Sequence, residues 1–264
     1  MERPDRMSPH GTSAVSVIVP TYREVDNVPV LVGRLKAVGA THALPLELLI
    51  VDDASNDGIA SLPERLHEAR WMRVIVRHAR RDLCQAVLDG LRAATGDVLV
   101  VMDADLSHPP EAIPSLLAAL AHPDVDFVLA SRYVAGGSTH PGWGILPRLN
   151  SWIARRLALP FVAVSDPMSG FFALRRPTFL GARDLDPVGY KIALELIVKC
   201  GCRAVQEVPI DFGPRLHGRS KLGLRARIDY LRHLKRLIDY RYGGLLALIG
   251  ATATGAPRAA TNRP

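Results

Sequence analysis

The chain has 264 residues, 48% hydrophobic and 22% charged, which suits one α/β domain with an appendage and excludes a disordered chain. Three cysteines, Cys84, Cys200 and Cys202, lack the spacing of a zinc site and favour a reducing compartment over a disulfide framework; no apolar run reaches bilayer length. A net charge of +7 calls for an acidic partner, be it nucleic acid, phosphate-bearing small molecules or an anionic membrane, unless the arginine content only mirrors genomic base composition.

Residues 1–14 lack the apolar core of a signal peptide and read as a disordered leader. Val15 to Val19 is a Val/Ile run halted by Pro20, which predicts a buried strand. Residues 27–38 have helical spacing behind Asp26 or Asn27 as a cap. Strands are predicted over 46–51, 73–76, 98–102 and 127–130, and helices over 57–70, 82–94 and 110–120. Such alternation gives a mainly parallel, doubly wound sheet whose ligands gather outside the carboxyl ends of its strands.

Those ends carry chemistry. PTYRE follows the first strand, VDDASNDG closes the second, and MDADLSHPP closes the fourth. Asp57 and Asn27 read as ordinary turn and cap residues, and His108, ahead of two prolines, reads more as a solvated turn residue than as a further metal ligand. Asp52, Asp53, Asp103 and Asp105 together do not read that way. Their mutual repulsion needs a cation, a donor or a proton to offset it. Hard oxygen ligands without a Cys/His cluster point to Mg²⁺ or Mn²⁺, an ion that commonly shares its shell with substrate phosphates. Asp103, Asp105 and Ser107 are the candidate ligands. The first strand is followed by PTYREVDN, without the glycines of a dinucleotide fingerprint, and no P-loop occurs.

In this order VSVIVPTYRE, LLIVDDASNDG and GDVLVVMDADLSHPPE resemble an inverting GT-A glycosyltransferase of family 2. ASRYVAGG, SDPMSGFFALRR, GYKIALEL and VPIDFGPRLHGRSKL are similar to dolichol- or polyprenol-phosphate mannose synthases, and the likeness runs from about residue 15 to 240. The resemblance implies that Pro20, Tyr22, Glu24, Val51 and Asp53 hold the guanosine of GDP-mannose. It implies that Asp103 and Asp105 bind the metal at the diphosphate, and that Arg132, Arg148 and Ser151 meet the acceptor phosphate. Arg215, Ser220 and Lys221 would belong to a loop closing over donor and acceptor. On this reading Asp105, Arg215 and Lys221 carry the catalysis. Their charges suit it, because negative charge grows on the leaving GDP, and an acceptor phosphate needs no general base.

The chain departs from that pattern in three places. ARRDLCQAVLDG (residues 79–90) stands where a Gly-Leu-Gly turn is usual, Ser107 stands where Gln is common, and no transmembrane helix follows the catalytic region. The predicted domains are a catalytic unit over 15–222, a basic amphipathic helix over 223–243 and a flexible tail over 244–264. The basic helix either packs on the catalytic domain or lies in an anionic interface, and the readings can coexist. Residues 143–164 are a hydrophobic stretch that reads as a prenyl groove or a core helix stopped by Pro160. The expected protein is cytoplasmic and peripheral to the membrane, with a membrane partner subunit as the other possible anchor. Nucleic acid is not an expected partner, since no recognition motif accompanies the charge. Two rivals stay open: a UDP-glucose or UDP-aminosugar donor with undecaprenyl phosphate, and a catalytically silent nucleotide- or lipid-binding subunit.

Overall fold

The structure, a computed structural model, describes residues 13–139, 145–189, 191–216 and 224–253, with backbone alone at 145–151, 224–227 and 244–253. β1 (Val15–Thr21), α1 (Val28–His42), β2 (Leu46–Asp52), α2 (Leu62–Arg65), β3 (Met72–Val76), α3 (Leu83–Ala93), β4 (Val98–Val101), α4 (Ile113–Leu120) and β5 (Phe127–Ser131) come first. β6 (Ser138–Thr139), α5 (Ile145–Ala158), β7 (Phe172–Arg175), α6 (Arg176–Leu180), α7 (Ile192–Lys199), β8 (Val205–Pro209), β9 (Asp211–Phe212) and α8 (Leu224–Ala253) follow. Seven strands form one sheet in the order β3-β2-β1-β4-β7-β5-β8, and β6 pairs separately with β9. Every ladder of the large sheet is parallel except those of β7 with β4 and β5.

Strand alternation splits the core into two apolar layers. Val15, Val17 and Val19 face one way, with Leu31 and Leu35 of α1 and Ile113 and Leu116 of α4. Ile18, Leu49 and Val51 face the other, under Val87 and Leu91 of α3 and Ile192 and Leu196 of α7. The close seating of α3 depends on Gly90, where a Cβ would overlap Ile18 and press on Val51.

Several expectations are corrected. β1 runs through Pro20, because its ladder with β4 has ended by Ile18 and a missing N–H there breaks no pairing. α1 continues to His42 before Ala43 (φ 50°) ends it. The helix expected over 57–70 is only a single turn at Leu62–Arg65. Asp57 is held in the turn before it, accepting from Ser55 Oγ at 2.9 Å and from the N–H groups of Val25 and Ile59 at 3.2 Å each. Gly58 (φ 91°) and His67 (φ 57°) adopt left-handed backbone that a continuous helix excludes. Asn27 occupies the first cap of α1 without a side-chain capping bond and donates to Glu24 Oε2 instead, at 2.6 Å. β7 was not foreseen: four residues after Gly170 give too short a period to read. α8 passes 243 and reaches Ala253, since the Leu- and Ala-rich run behind the glycine pair favours helix.

α8 is docked on the catalytic domain. Tyr230, Leu234 and Leu237 are buried with Ala154, Ala158 and Phe161 of the α5 region and Leu194 of α7, and Tyr230 Oη donates to Ala154 O at 2.8 Å. Beneath this seam Glu195 meets Lys199 Nζ at 2.7 Å and His233 Nε2 at 3.0 Å, with all three side chains nearly inaccessible. Burial acts to raise the Glu195 carboxyl, but His233, Lys199 and the Asp186 N–H outweigh it and hold it below its ordinary 4.5. Its stabilising contribution is therefore complete above 4.5 and lost as pH falls through the lower folded-state value. Glu195→Ala leaves the buried His233 and Lys199 nitrogens without their carboxylate and should cost about 3–5 kcal/mol in urea unfolding at neutral pH. An unchanged unfolding midpoint would show that the seam does not depend on this carboxylate.

Candidate active site

The topology brings separate segments to one rim. β1, β2, β4, β5 and β8 run parallel, so the residues after each emerge on the same side. β7 runs the other way, with Phe172 opposite Val101 and Leu129, so the residues leading into it reach that rim too. This antiparallel insertion is what adds residues 165–170 to the site. The segment after β8 is stapled across the Asp-Ala-Asp loop, with Gly213 N–H donating to Ser107 O and Leu216 N–H to Asp105 O, both at 3.0 Å.

The chain compensates the clustered carboxylates unequally. Asp52 accepts from Thr21 Oγ1 (3.1 Å) and from Ser55 through Oγ (2.7 Å) and N–H (2.8 Å), which makes it a brace for the β2 loop. Asp53 is buried in an ion pair with Arg77 and accepts the Asp82 N–H at 2.9 Å. Burial pushes its carboxyl up in spite of Arg77, which also reaches Asp89 at 2.7 Å. Asp105, its side chain 5% exposed, takes Ser107 Oγ (2.5 Å) and N–H (3.1 Å) on Oδ1 and Arg215 Nη1 (3.0 Å) on Oδ2. Asp103 is different: its side chain is 37% exposed.

His108 is not a solvated turn residue. It is buried between the rings of Phe171 and Phe212, 5.3 and 5.4 Å from them by centroid. Its Nδ1 accepts the Asp103 N–H at 3.1 Å, and burial pushes its imidazole down against the pull of Asp103 and Asp105. A neutral ring thus fixes the backbone of Asp103 and leaves the carboxylate free to face outward. Gly170 lies against the same corner, where a Cβ would sit 3.5 Å from His108 Cε1 and 3.6 Å from Asp103 Oδ1.

Arg132 meets Asp166 in a two-point pair, Nε to Oδ2 at 2.7 Å and Nη2 to Oδ1 at 2.8 Å. The guanidinium edge expected to fork an acceptor phosphate is therefore engaged by Asp166. Glu207 accepts the N–H groups of Ser165 and Asp166 at 2.6 and 2.9 Å and holds that loop in place. At the far side Pro20 and Val51 are register partners buried in the sheet, so they offer the rim little beyond backbone. Tyr22 lies outside them, with the Arg81 guanidinium 4.4 Å from its ring centroid. Glu24 is the partner of Asn27. Arg148 and Ser151 fall on α5 where the backbone alone is described, and Ser220 and Lys221 lie outside the described residues.

Sequence reasoning missed Arg77, Asp166 and Lys191. Arg77 and Asp166 each pair with a residue distant in sequence, and no local spacing announces such a pair. SDPMSG and GYKIALEL carry the family resemblance as stretches, without a role for Asp166 or Lys191. Backbone strain also marks the site: Arg23, Ala54, Asn56 and Leu106 hold positive φ in the loops after β1, β2 and β4.

The donors fit a hard divalent cation. Among the described residues no three His, Cys, Asp or Glu side chains gather into a self-sufficient cage. A half-exposed Asp103 carboxylate and the Asp105 carboxylate, whose Oδ2 is held by the 40% exposed Arg215 side chain, instead suit Mg²⁺ or Mn²⁺ completed by ligand phosphates.

Comparison with known proteins bears on the family and the fold. Residues 16–180 match Glycosyl transferase family 2. A dolichol-phosphate mannosyltransferase of Mycosarcoma maydis is 42% identical over 89% of this chain and 83% of its own length. One of Saccharomyces cerevisiae is 42% identical over 86% and 88%, and one of Pyrococcus furiosus 41% over 86% and 64%. Among solved structures, glucosyl-3-phosphoglycerate synthase of Mycobacterium tuberculosis with Mn²⁺ and UDP-glucose superposes with a TM-score of 0.64 at 20% identity, over 88% of this chain and 79% of that one. That likeness concerns the GT-A fold. By its sequence match and by the order of the motifs on its rim, this chain belongs to glycosyl transferase family 2.

Proposed function

We propose that the chain transfers mannose from GDP-mannose to a polyprenyl phosphate of the dolichyl type, with inversion and with Mg²⁺ or Mn²⁺ at Asp103 and Asp105. The observation that carries this is the 41–42% identity, across 86–89% of the chain, to relatives that bear the name dolichol-phosphate mannosyltransferase. The meeting of Asp103, Asp105 and Arg215 on one rim supports it.

An oxygen of the acceptor phosphate bonds to the anomeric carbon while the bond from that carbon to the diphosphate oxygen breaks. The electron pair leaves with GDP, and attack opposite the leaving group turns an α-linked donor into a β-linked product. The acceptor is already anionic near neutral pH, so no side chain has to remove a proton. When bound, the divalent cation supplies positive charge to the departing diphosphate. Arg215, 40% exposed at its side chain, adds a second positive charge from the segment stapled over the Asp105 loop. Lys221 and Ser220 would follow it in the closing loop, and Arg148 and Ser151 would join Arg132 at the acceptor.

The test is transfer to detergent-dispersed polyprenyl phosphate with Mg²⁺ or Mn²⁺, using labelled GDP-mannose, UDP-glucose and UDP-N-acetylglucosamine. Lipid-linked mannose from GDP-mannose alone is expected. Product from a UDP-sugar would replace the donor, and no product from folded protein would favour a silent subunit.

We also propose that α8 meets the membrane surface with the face it leaves unpacked. Among the described residues no helix is long and apolar enough to cross a membrane. Ile228, Leu231 and Ile238 are exposed outside the docked stripe, on the same helix as the exposed Arg232 and Lys235. Leu231→Asp with Ile238→Asp should reduce co-sedimentation with phosphatidylserine-containing vesicles about tenfold or more without lowering thermal stability. Unchanged co-sedimentation would move the anchor to another surface or to a partner subunit.

A further inference from the structure

Lys191 has no part in the mechanism above, yet it reaches into the middle of the site. It stands at the N-cap of α7, half-buried, with its ammonium donating to Met168 O at 3.0 Å. Met168 lies midway between Asp166, which grips Arg132, and Gly170, which lies against Asp103 and His108. The amine thus tethers the loop that separates the Asp103 side of the rim from the Arg132 side.

A neutral donor would hold the Met168 carbonyl as well. A lysine there costs more, because burial and the repulsion of Arg132 both disfavour its charge. Together they pull its amine down to about 7, while Asp166, Asp103 and Cys84 act the other way. A cation kept beside a second cation in a half-buried corner is stabilised when an anion arrives, and its own placement disfavours leaving the corner empty. Arg132 already has Nε and Nη2 engaged by Asp166, which limits how far it alone can neutralise a phosphate dianion.

We infer that Lys191 is a binding residue for the phosphate of the acceptor, acting beside the Arg132–Asp166 pair. The inference rests on the mannosyl-transfer reading and gives a role to a residue of the GYKIALEL stretch that this reading left without one. The phosphate seats with its charge toward the Lys191 ammonium and the Arg132 guanidinium, while Met168 O keeps the amine aimed. Lys191 serves binding of the acceptor and not of the nucleotide, whose loops lie on the β1 and β2 side.

The decisive variant is Lys191→Gln, which keeps a donor for Met168 O and removes the charge. Binding of farnesyl phosphate, farnesol and GDP is measured by titration calorimetry with the full chain in detergent. Farnesyl phosphate should bind Lys191→Gln about tenfold or more weakly than wild type, with GDP binding, farnesol binding and thermal midpoint unchanged. Lys191→Arg should restore most of the loss, and the KM for the acceptor should rise without a matching rise for the donor. Equal binding of farnesyl phosphate by wild type and Lys191→Gln overturns the inference. So does a parallel loss of GDP and farnesyl phosphate binding, which would mark Lys191 as a structural tether. Failure of the broader reading looks different: wild type itself then transfers no mannose and binds no GDP.

Discussion

Asp105→Asn is expected to lower mannosyl transfer by about 10²–10³-fold while the protein stays folded. The amide has nearly the shape of the carboxylate, so an oxygen can stay where Ser107 Oγ and N–H point, at 2.5 and 3.1 Å. The other position then becomes an NH₂ group facing Arg215 Nη1 across the present 3.0 Å, a donor set against a donor. The substitution therefore removes a hard anionic ligand and displaces Arg215 together, in a corner with little solvent to compensate. Thermal unfolding should change little, because the backbone bonds from Gly213 and Leu216 to this loop do not involve the carboxylate. Stimulation of the residual activity by Mn²⁺ should weaken. Turnover close to wild type, with ordinary metal dependence, would remove Asp105 from the chemistry.

Where a pattern is local, the chain reveals itself. The Val/Ile run from Val15 to Val19 predicts β1; Asp103 and Asp105, at the end of an apolar run, predict a polar rim. What escaped is long-range. Nothing around VRHARR says that Arg77 neutralises Asp53 from another loop, or that Asp166 closes on Arg132 from before an antiparallel strand. β7 escaped because four residues carry almost no period, yet its direction decides which loop joins the site. His108 was misread for a related reason: the prolines after it suggest an exposed turn, while Phe171 and Phe212, remote in sequence, bury it. The compensation of the four aspartates follows the same division. That they needed partners was evident from their crowding, but which of them the fold leaves half-exposed was settled by residues elsewhere in the chain.

That division bears on Arg215, which the sequence placed in a closing loop and the fold places against Asp105. Arg215→Ala should depress kcat by about 10²–10³-fold and change the KM for GDP-mannose only a few-fold. The argument is one of charge timing. In the ground state the diphosphate already has partners, and one more exposed cation adds little to its affinity. As the glycosidic bond breaks, a full extra charge develops on the leaving oxygen, and a guanidinium held nearby is worth most at that moment. The main chain on either side of Arg215 is fixed by Gly213 and Leu216, so truncation removes the charge without releasing the segment. Asp105 would lose an ion-pair partner with 60% of the arginine side chain's possible surface covered, a modest cost to stability beside the kinetic one. Arg215→Lys, with charge but no fork, should fall between the two. Steady-state kinetics over both substrates distinguishes the outcomes: a fall confined to kcat places Arg215 at the transition state, whereas a rise confined to the donor KM would make it a ground-state clamp and leave the developing charge to other residues.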